Sequence, residues 1–396
     1  MDPESIAAII FVILLSIFIF QKRKKIQWQG FFPLFYFAML RTKLGLSWMD
    51  KLATKWPRTI KVLGFIGIIV GFIGMALLAF ELLKNLTELF VLEKAVPGVV
   101  PVLPIKAEGI FYVPFFYWII SLFIIATVHE FSHGVVARAH KIPVTSSGFA
   151  FLGVLVPIIP AAFVEPDEKI MGKKKVSHQL AVFAAGPFSN IILGFLSLGI
   201  FALLVYGAVN PLVEQTGVEI TGYYLVDNVT SPAEDAGVHV GEVVTKMNGK
   251  EMRELETFQD FLDEEVKAGE TIALTTNRTT YQITLKEKPG DGDDPYLGVY
   301  VKQSSDIKEE VKEKYGSWLP NILIWITGLF YWLFLLNLGI GLFNLVPLGP
   351  IDGGRMLKTA LECMMKDKKK AHAIWKYISF VFLFTLLILM FYGFFG

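Results

Sequence analysis

The chain has 396 residues, of which 54% are hydrophobic and 18% are charged, and its mean hydropathy is +0.53. Soluble domains carry roughly a quarter charged residues, so this composition excludes an ordinary soluble protein. A helix that crosses a bilayer needs about 20 predominantly apolar residues. Six segments meet that length and predict a polytopic α-helical membrane protein: 5–21, 62–83, 111–138, 178–207, 318–346 and 373–395.

The distribution of charge predicts the topology. The first apolar run follows Asp2 and Glu4 and precedes QKRKK, so we interpret it as an uncleaved span whose N-terminus is outside. Alternating spans then place three segments in the cytoplasm that hold 23 of the 37 Lys and Arg residues, as the positive-inside rule expects: 22–61, 138–177 and 347–376. We expect a multi-pass protein, in the plasma membrane of a prokaryote.

Residues 208–317 fall outside in this topology and carry 22 acidic and 11 basic residues. Within them, 220–302 alternates short β-branched runs with Gly turns and two helical segments, which predicts a compact α+β module. The stretch SPAEDAGVHVGEVVTKMNGKEM (231–252) resembles the PDZ-domain signature. That resemblance implies a groove that takes an extended peptide as an added strand, with PYLGVYV (295–301) beside it. The alternative is a spacer of PDZ shape that binds nothing.

The segment HEFSH places His129, Glu130 and His133 at the end of an otherwise apolar run. Histidines four apart share one face of a helix. Two imidazoles in this arrangement can bind one Zn²⁺, with the glutamate beside the attacking water. The alternative is a polar patch that happens to end a hydrophobic helix.

A catalytic zinc takes three protein ligands, so a third ligand is required. The segment FNLVPLGPIDGGRML (343–357) supplies Asp352, which the predicted topology puts at the same membrane depth as HEFSH. We expect Gly353 and Gly354 to let the backbone turn and bring this carboxylate to the metal. The alternative is a solvated turn aspartate.

The fourth span begins VFAAGPFSN (182–190), in which Gly186 and the alanines predict close helix packing. Asn190 is an amide within a span, so it needs a polar partner. It either forms an inter-helix hydrogen bond or donates to the substrate carbonyl or the developing oxyanion. Asn344, near the end of the fifth span, presents the same two choices.

Together, HEFSH, AAGPFSN and NLVPLGPIDGG resemble, in this order, the motifs of the site-2 protease family of intramembrane zinc metalloproteases. The resemblance implies that His129, His133 and Asp352 bind one Zn²⁺ and that Glu130 is the general base. It also implies that Asn190 and Asn344 help to position substrate. The chain is expected to begin with N-terminal spans and a basic loop (1–110). The catalytic membrane core then comes in two parts (111–207 and 318–357), separated by the PDZ-like domain with its linkers (208–317). A basic linker and the last span (358–396) end the sequence given.

The apolar stretch 148–166 is short for a helical span and is interrupted by Pro157 and Pro160. We interpret it as a re-entrant β-hairpin beside HEFSH, whose strand edge holds an unwound substrate segment. The alternative is an interfacial loop that only plugs the core. A shorter apolar stretch, 30–40, is expected to lie on the inner face of the membrane.

The sequence therefore predicts an endopeptidase that cuts transmembrane segments of single-span membrane proteins. The expected substrates are already trimmed outside, so that the PDZ-like module reads a new C-terminus or filters by size. No nucleic-acid partner is expected. Two alternatives remain: a membrane metal carrier or sensor that uses the same ligands without hydrolysis, and a non-catalytic PDZ scaffold.

Overall fold

The structure is a computed structural model of the chain and describes residues 3–31, 35–91, 98–107, 109–154, 156–224, 230–288 and 294–395. Contacts divide the chain into two compact units. The first unit combines Met1–Phe201 with Gly328–Gly396, and the second is Ala202–Thr327. The second unit is thus inserted into the first in sequence.

Six helices in the described residues are long and apolar enough to cross a membrane, which confirms the predicted polytopic architecture. These helices are α1 (Pro3–Lys22), α3 (Pro57–Val91), α4 (Phe115–Ala139), α6 (Val176–Leu204), α10 (Trp318–Phe343) and α12 (Lys368–Phe395). The shorter helices are α2 (Leu46–Lys55), α5 (Glu168–Met171), α7 (Pro232–Asp235), α8 (Leu255–Asp260), α9 (Glu309–Tyr315) and α11 (Asp352–Met364).

Small residues bring α3 close to the rest of the membrane unit. Four buried glycines recur every three or four residues along α3, and so lie on one face of it: Gly64, Gly67, Gly71 and Gly74. A Cβ added at Gly74 would lie 2.6 Å from Leu345 Cδ1, and one at Gly64 would lie 3.2 Å from Ala181 Cβ. Larger side chains on this face would therefore push α3 away from α6 and from the segment that follows α10.

The first unit also contains a four-stranded antiparallel sheet of order β1-β2-β5-β6. Residues 148–166 form most of the β5–β6 hairpin, as the re-entrant interpretation predicts, and β6 is the terminal strand. The strands of this unit are β1 (Ile26–Phe31), β2 (Phe35–Thr42), β3 (Val102–Leu103), β4 (Phe111–Tyr112), β5 (Val144–Val154) and β6 (Val156–Pro166).

The stretch 30–40, expected on the inner face of the membrane, contains strand residues whose partner the sequence did not indicate. Strand β2 pairs with β5 along its length, from Tyr36 opposite Gly153 to Thr42 opposite Ser147. Unpaired backbone groups are costly away from water, so a strand of this length is stabilised by joining the neighbouring hairpin. The β5–β6 hairpin is therefore part of a larger sheet.

The second unit contains a six-stranded sheet of order β11-β10-β8-β7-β14, with β9 paired to β8. Its hydrophobic core is its own and includes fully buried Ile220, Met247, Ile272 and Leu274. The predicted α+β module is thus present. Its strands are β7 (Val213–Tyr223), β8 (Val243–Met247), β9 (Lys250–Glu251), β10 (Thr271–Thr276), β11 (Thr280–Thr284), β12 (Lys286–Glu287), β13 (Pro295–Tyr296) and β14 (Val299–Ile307).

This sheet extends beyond the predicted limits of 220–302. Strands β7 and β14 pair from Val213 opposite Ile307 to Tyr223 opposite Val299, so residues expected to be linkers belong to the sheet. The run YYLVDNV (223–229) also indicates a strand by its β-branched and aromatic residues; β7 ends at Tyr223, and residues 225–229 lie outside the described residues.

Candidate metal centre

Helix α4 brings the two histidines of HEFSH onto one face. His129 and His133 are each 8% exposed, and the centroids of their rings lie 4.8 Å apart. Glu130 offers a carboxylate oxygen within 4.8 Å of a ring nitrogen of each histidine. Two imidazoles and one carboxylate therefore share a small volume inside an apolar helix, as the i, i+4 spacing predicts.

Asp352 joins this cluster from a distant part of the sequence. Its Oδ2 lies 3.0 Å from His129 Nε2 and 3.3 Å from His133 Nε2. Helix α10 ends at Phe343, and Asp352 is the first residue of α11. The side chain is buried, with the residue 8% exposed, in contrast to the solvated turn aspartate that was the alternative.

Glycine is required at the two positions after Asp352 for a reason that differs from the predicted one. Both are in the first turn of α11 and have helical backbone conformation, so no unusual turn requires them. A Cβ at Gly353 would lie 2.3 Å from Leu345 O, and one at Gly354 would lie 2.0 Å from Leu348 O. The glycines are needed because the segment that connects α10 to α11 passes directly against this turn.

Glu130 is held by the edge of the four-stranded sheet β1-β2-β5-β6. The backbone N–H of Val164, on β6, donates a hydrogen bond of 2.9 Å to Glu130 Oε2. This bond holds one of the two carboxylate oxygens of Glu130 against the strand. The β5–β6 hairpin therefore contacts the HEFSH helix at its glutamate.

Helix α6 supplies the hydrogen-bond partners of both histidines. His133 Nδ1 lies 2.6 Å from the carbonyl oxygen of Val182, and His129 Nδ1 lies 3.1 Å from Asn190 Nδ2. The Nδ1 atom of each imidazole thus faces α6, and the Nε2 atom of each faces Asp352. Partners of this kind orient metal-binding histidines.

Gly186 shapes the space between the three candidate ligands, a role that the sequence interpretation missed. A Cβ at this position would lie 2.4 Å from His133 Nε2 and 2.5 Å from His129 Nε2. The absence of a side chain leaves room for an ion beside both nitrogens. The spacing offered a signal, because Gly186 is one helical turn before Asn190 and shares its face of α6.

These residues fit zinc. Nitrogen and carboxylate ligands at about 2.0–2.1 Å in a tetrahedral site lie roughly 3.3 Å from one another. The observed separations from Asp352 Oδ2, 3.0 and 3.3 Å, are close to this value. The donor set of two imidazoles and one carboxylate is typical of a catalytic zinc that keeps its fourth position open.

A cavity of about 330 Å³ adjoins the cluster and is lined by His129, Glu130, His133 and Asp352. Asn344 also lines this cavity, and its Nδ2 donates a hydrogen bond of 3.0 Å to the carbonyl oxygen of Ile340. Asn190 is fully buried and is not among the described residues that line the cavity. The two asparagines, which the sequence treats alike, therefore occupy different positions.

Arg355 lines both this cavity and a second cavity of about 470 Å³, as do Met171, Phe183 and Pro350. Its guanidinium carbon lies 4.3 Å from the centroid of the Phe183 ring, and its Nη2 lies 2.9 Å from Glu168 Oε1. Helices α5, α6 and α11 thus meet at this arginine, next to the candidate metal centre.

Comparison with known proteins identifies relatives over most of the chain. An uncharacterized protein of Methanocaldococcus jannaschii is 29% identical over 342 residues, which cover 84% of this chain and 80% of that protein. The zinc metalloprotease RasP of Shouchella clausii is 25% identical over 51% of this chain and 55% of its own length. The regulator of sigma-W protease RasP of Bacillus subtilis is 22% identical over 57% of this chain and 61% of its own length. The matches thus span less than two thirds of either RasP protein.

A solved PDZ domain of an SdrC-like protein from Listeria monocytogenes is 22% identical over 22% of this chain and 87% of that domain, with a TM-score of 0.19. The model of peptidase family M50 matches residues 117–386, more than half of the chain and a range that contains every candidate site residue. The chain therefore belongs to peptidase family M50, the site-2 protease family of zinc metalloproteases.

Proposed function

We propose that this chain is an intramembrane endopeptidase that hydrolyses peptide bonds within transmembrane segments of other membrane proteins. One observation carries the proposal: Asp352 Oδ2 lies within 3.3 Å of Nε2 of both histidines, inside a membrane unit. Buried ionisable groups in such a unit are costly and mark functional sites. The family membership of the chain supports the same reaction class.

His129 and His133 would hold one Zn²⁺ through their Nε2 atoms, and Asp352 would hold it through Oδ2. When bound, the ion supplies Lewis acidity that polarises the scissile carbonyl and makes a nearby water more acidic. Gly186 supports this assignment, because any side chain there would occupy the space beside both nitrogens.

Glu130 acts as the general base in this proposal. The Val164 N–H holds Oε2, which leaves the other carboxylate oxygen to take a proton from the attacking water. The same carboxyl group then passes that proton to the departing amine. If strand β6 moved and the hydrogen bond from Val164 N–H were lost, the carboxylate of Glu130 would therefore remain in place but lose its orientation.

The substrate segment must be unwound before it is cut, because a helical amide is shielded by its own turn. Strand β6 is the terminal strand of its sheet and contacts Glu130, so it is suited to hold an extended segment by strand addition. Asn344 lines the same cavity and would position the substrate through its amide group.

The proposed topology follows the charge pattern. The N-terminus and the inserted module lie outside, and the metal centre lies near the cytoplasmic side. The substrates would be single-span proteins that have already been trimmed outside, with the module acting as a size filter or as a reader of the new C-terminus.

A metal carrier or sensor is the alternative from another class, and Glu130 separates it from a peptidase. A carrier has no need of a free carboxylate beside the ion, whereas a peptidase that lacks this carboxylate binds zinc and does not cut. A scaffold without catalysis would require neither Glu130 nor the ligands.

The test measures zinc content and cleavage of a tagged single-span substrate in detergent for the wild type, Glu130→Gln and Asp352→Ala. We expect about one zinc per chain in the wild type and in Glu130→Gln, cleavage only by the wild type, and reduced zinc in Asp352→Ala. Cleavage by Glu130→Gln would contradict the assigned base. Zinc without cleavage of any substrate in a broad panel would favour the carrier or the scaffold.

A further inference from the structure

Asn190 has an unusual environment for an amide in a membrane helix. The residue is 0% exposed, and its Nδ2 lies 3.1 Å from His129 Nδ1. Its other polar atom, Oδ1, is buried and has no hydrogen-bond partner among the described residues. A buried amide oxygen without a partner is rare, so its presence here requires an explanation.

The chemistry of a metal-bound imidazole supplies that explanation. Nε2 of His129 is the atom that faces Asp352, so it must offer its lone pair to the metal and cannot carry a proton. The ring proton of the neutral imidazole then resides on Nδ1, which becomes a donor. The amide nitrogen of Asn190 is also a donor and cannot pair with it. A half-turn of the amide group places Oδ1 opposite the Nδ1–H of His129, so the oxygen gains a donor and the two donors no longer face each other.

We propose that Asn190 is a positioning residue for the metal ligand His129. Its side-chain oxygen accepts the Nδ1–H of His129 and thereby holds the imidazole in the tautomer and orientation that direct Nε2 to zinc. This inference rests on the proposed ligand set and adds to it the residue that orients one of the ligands.

The arrangement of α6 supports this role, because its residues 182, 186 and 190 are spaced by four and lie on one face. Val182 gives a carbonyl oxygen to His133 Nδ1 at 2.6 Å. Gly186 leaves the space beside the two Nε2 atoms. Asn190 completes the set, since it is the side chain that can give His129 the same kind of acceptor. One helix face thus serves both histidines.

Packing from α10 keeps Asn190 in place. A Cβ added at Gly341 would lie 3.0 Å from Asn190 Cβ, so this helix passes directly over the asparagine. The asparagine is therefore enclosed between His129 and α10. Because it does not line the cavity beside the metal ligands, it is poorly placed to contact substrate, whereas Asn344 is well placed.

The test is a measurement of zinc affinity on the purified full chain in detergent, by competition with a chelator. Substitutions of residues that hydrogen-bond to metal ligands typically weaken metal binding by about 10–100-fold, and we expect this loss for Asn190→Ala. Asn190→Asp keeps an acceptor oxygen at the same place, so we expect it to retain tight binding. The absorption spectrum of the Co²⁺-substituted protein should change in the alanine variant and stay close to wild type in the aspartate variant.

Asn337→Ala is the matched control. Asn337 is also 0% exposed, lies in a membrane helix and has an unpaired buried Oδ1, but its Nδ2 donates to the carbonyl oxygen of Leu333 in its own helix. We expect this variant to bind zinc like the wild type. It therefore separates the effect of losing a buried amide from the effect of losing the oxygen that accepts the Nδ1–H of His129.

Two outcomes would overturn the inference. One is wild-type zinc affinity in Asn190→Ala, with or without a lower kcat, since a substrate donor affects catalysis and leaves metal binding intact. The other is loss of zinc in Asn190→Asp when gel filtration shows a folded protein. His129→Ala is measured in parallel: if it also keeps wild-type affinity, the proposed ligand set fails, and the failure is not specific to Asn190.

Discussion

Asp352 Oδ2 lies 3.0 Å from His129 Nε2, although 223 positions separate the two residues in the sequence. The whole of the inserted unit, Ala202–Thr327, falls between them. The chain returns to the histidines after α10, through the short connection 344–351 that leads into α11. The candidate metal centre is therefore a product of helix packing, and the local motif supplies only part of it.

Gly186→Ala is predicted to abolish zinc binding. The added methyl group would lie 2.4 and 2.5 Å from the Nε2 atoms of His133 and His129, closer than any side chain tolerates. The helix itself should persist, because alanine is a better helix former than glycine by about 1 kcal/mol. Zinc content by atomic absorption and helical content by circular dichroism test the two statements separately.

Gly199→Ala is the control on the same helix. A Cβ at Gly199 has no neighbour within 4 Å, so this variant should bind zinc normally and should be as stable as the wild type or slightly more so. Normal zinc content in Gly186→Ala would mean that the ion does not lie between the two histidines.

The sequence predicts the elements of this site better than their mutual geometry. The six spans, the two histidines and Asp352 follow from hydropathy, helical spacing and topology. The role of Gly186 does not follow, because it depends on the distance between α4 and α6. The same limit applies to Gly353. Glycine was predicted there to allow a turn, whereas it is required because any Cβ would collide with Leu345 O. A local sequence pattern indicates which residues share a face of a helix. It does not indicate which element packs against that face or at what distance.

The membrane sheet shows the same limit. An apolar hairpin at 148–166 is predicted because its length and prolines exclude a helical span. The pairing of β2 with β5 is not predicted, because Tyr36 and Gly153 are far apart in sequence and strand partners follow no spacing rule. Within the inserted unit, the strands are recognisable by alternation, but the ends of β7 and β14 are set by pairing with each other.

Arg355→Ala is predicted to accelerate the loss of zinc to a chelator several-fold. The arginine lines both cavities and is held over Phe183 and against Glu168, so its removal should open a path to the metal centre. Because a lower barrier speeds entry and exit alike, the equilibrium affinity should change little. Stopped-flow chelation measures the rate, and equilibrium competition measures the affinity.

Lys358→Ala, one turn further along α11, provides the comparison. Lys358 lines only the second cavity, so its variant should release zinc at the wild-type rate. Equal rates in the two variants would mean that Arg355 does not restrict the path.

His140 is predicted to make the protein less stable in mild acid. Burial, followed by the charges of His178, Lys61 and Lys174, lowers the pKa of His140 from its usual 6.5 to about 4. The unfolded chain therefore binds a proton between pH 6.5 and 4 that the folded chain does not. Stability is complete above pH 6.5 and falls with pH, by at most about 2 kcal/mol at pH 5. Thermal unfolding in detergent at pH 7 and pH 5 measures this loss.

The His140→Asn variant carries no titratable group at this position, so its loss of stability between pH 7 and pH 5 should be smaller than that of the wild type. Identical losses in the two proteins would show that other groups cause the acid sensitivity.

Excision of the inserted module is predicted to leave the metal centre intact and to relax substrate choice. Val213 pairs with Ile307 at the ends of β7 and β14, so a short Gly-Ser linker can replace residues 214–306 without stretching the chain. The module has its own core, and the candidate ligands lie outside it. We expect wild-type zinc content, continued cleavage of a trimmed single-span substrate, and new cleavage of the full-length one. Parallel zinc and cleavage assays check these outcomes.

The same assays distinguish a size filter from a reader of C-termini. A filter excludes bulk, so changes in the last residues of a trimmed substrate should leave its cleavage by the intact chain unaffected. A reader that adds the substrate terminus as a strand depends on those residues, and cleavage should fall when they are changed. The excised variant should cleave trimmed substrates without regard to their last residues under either hypothesis. Unchanged discrimination between trimmed and full-length substrates after excision would remove the module from substrate selection altogether.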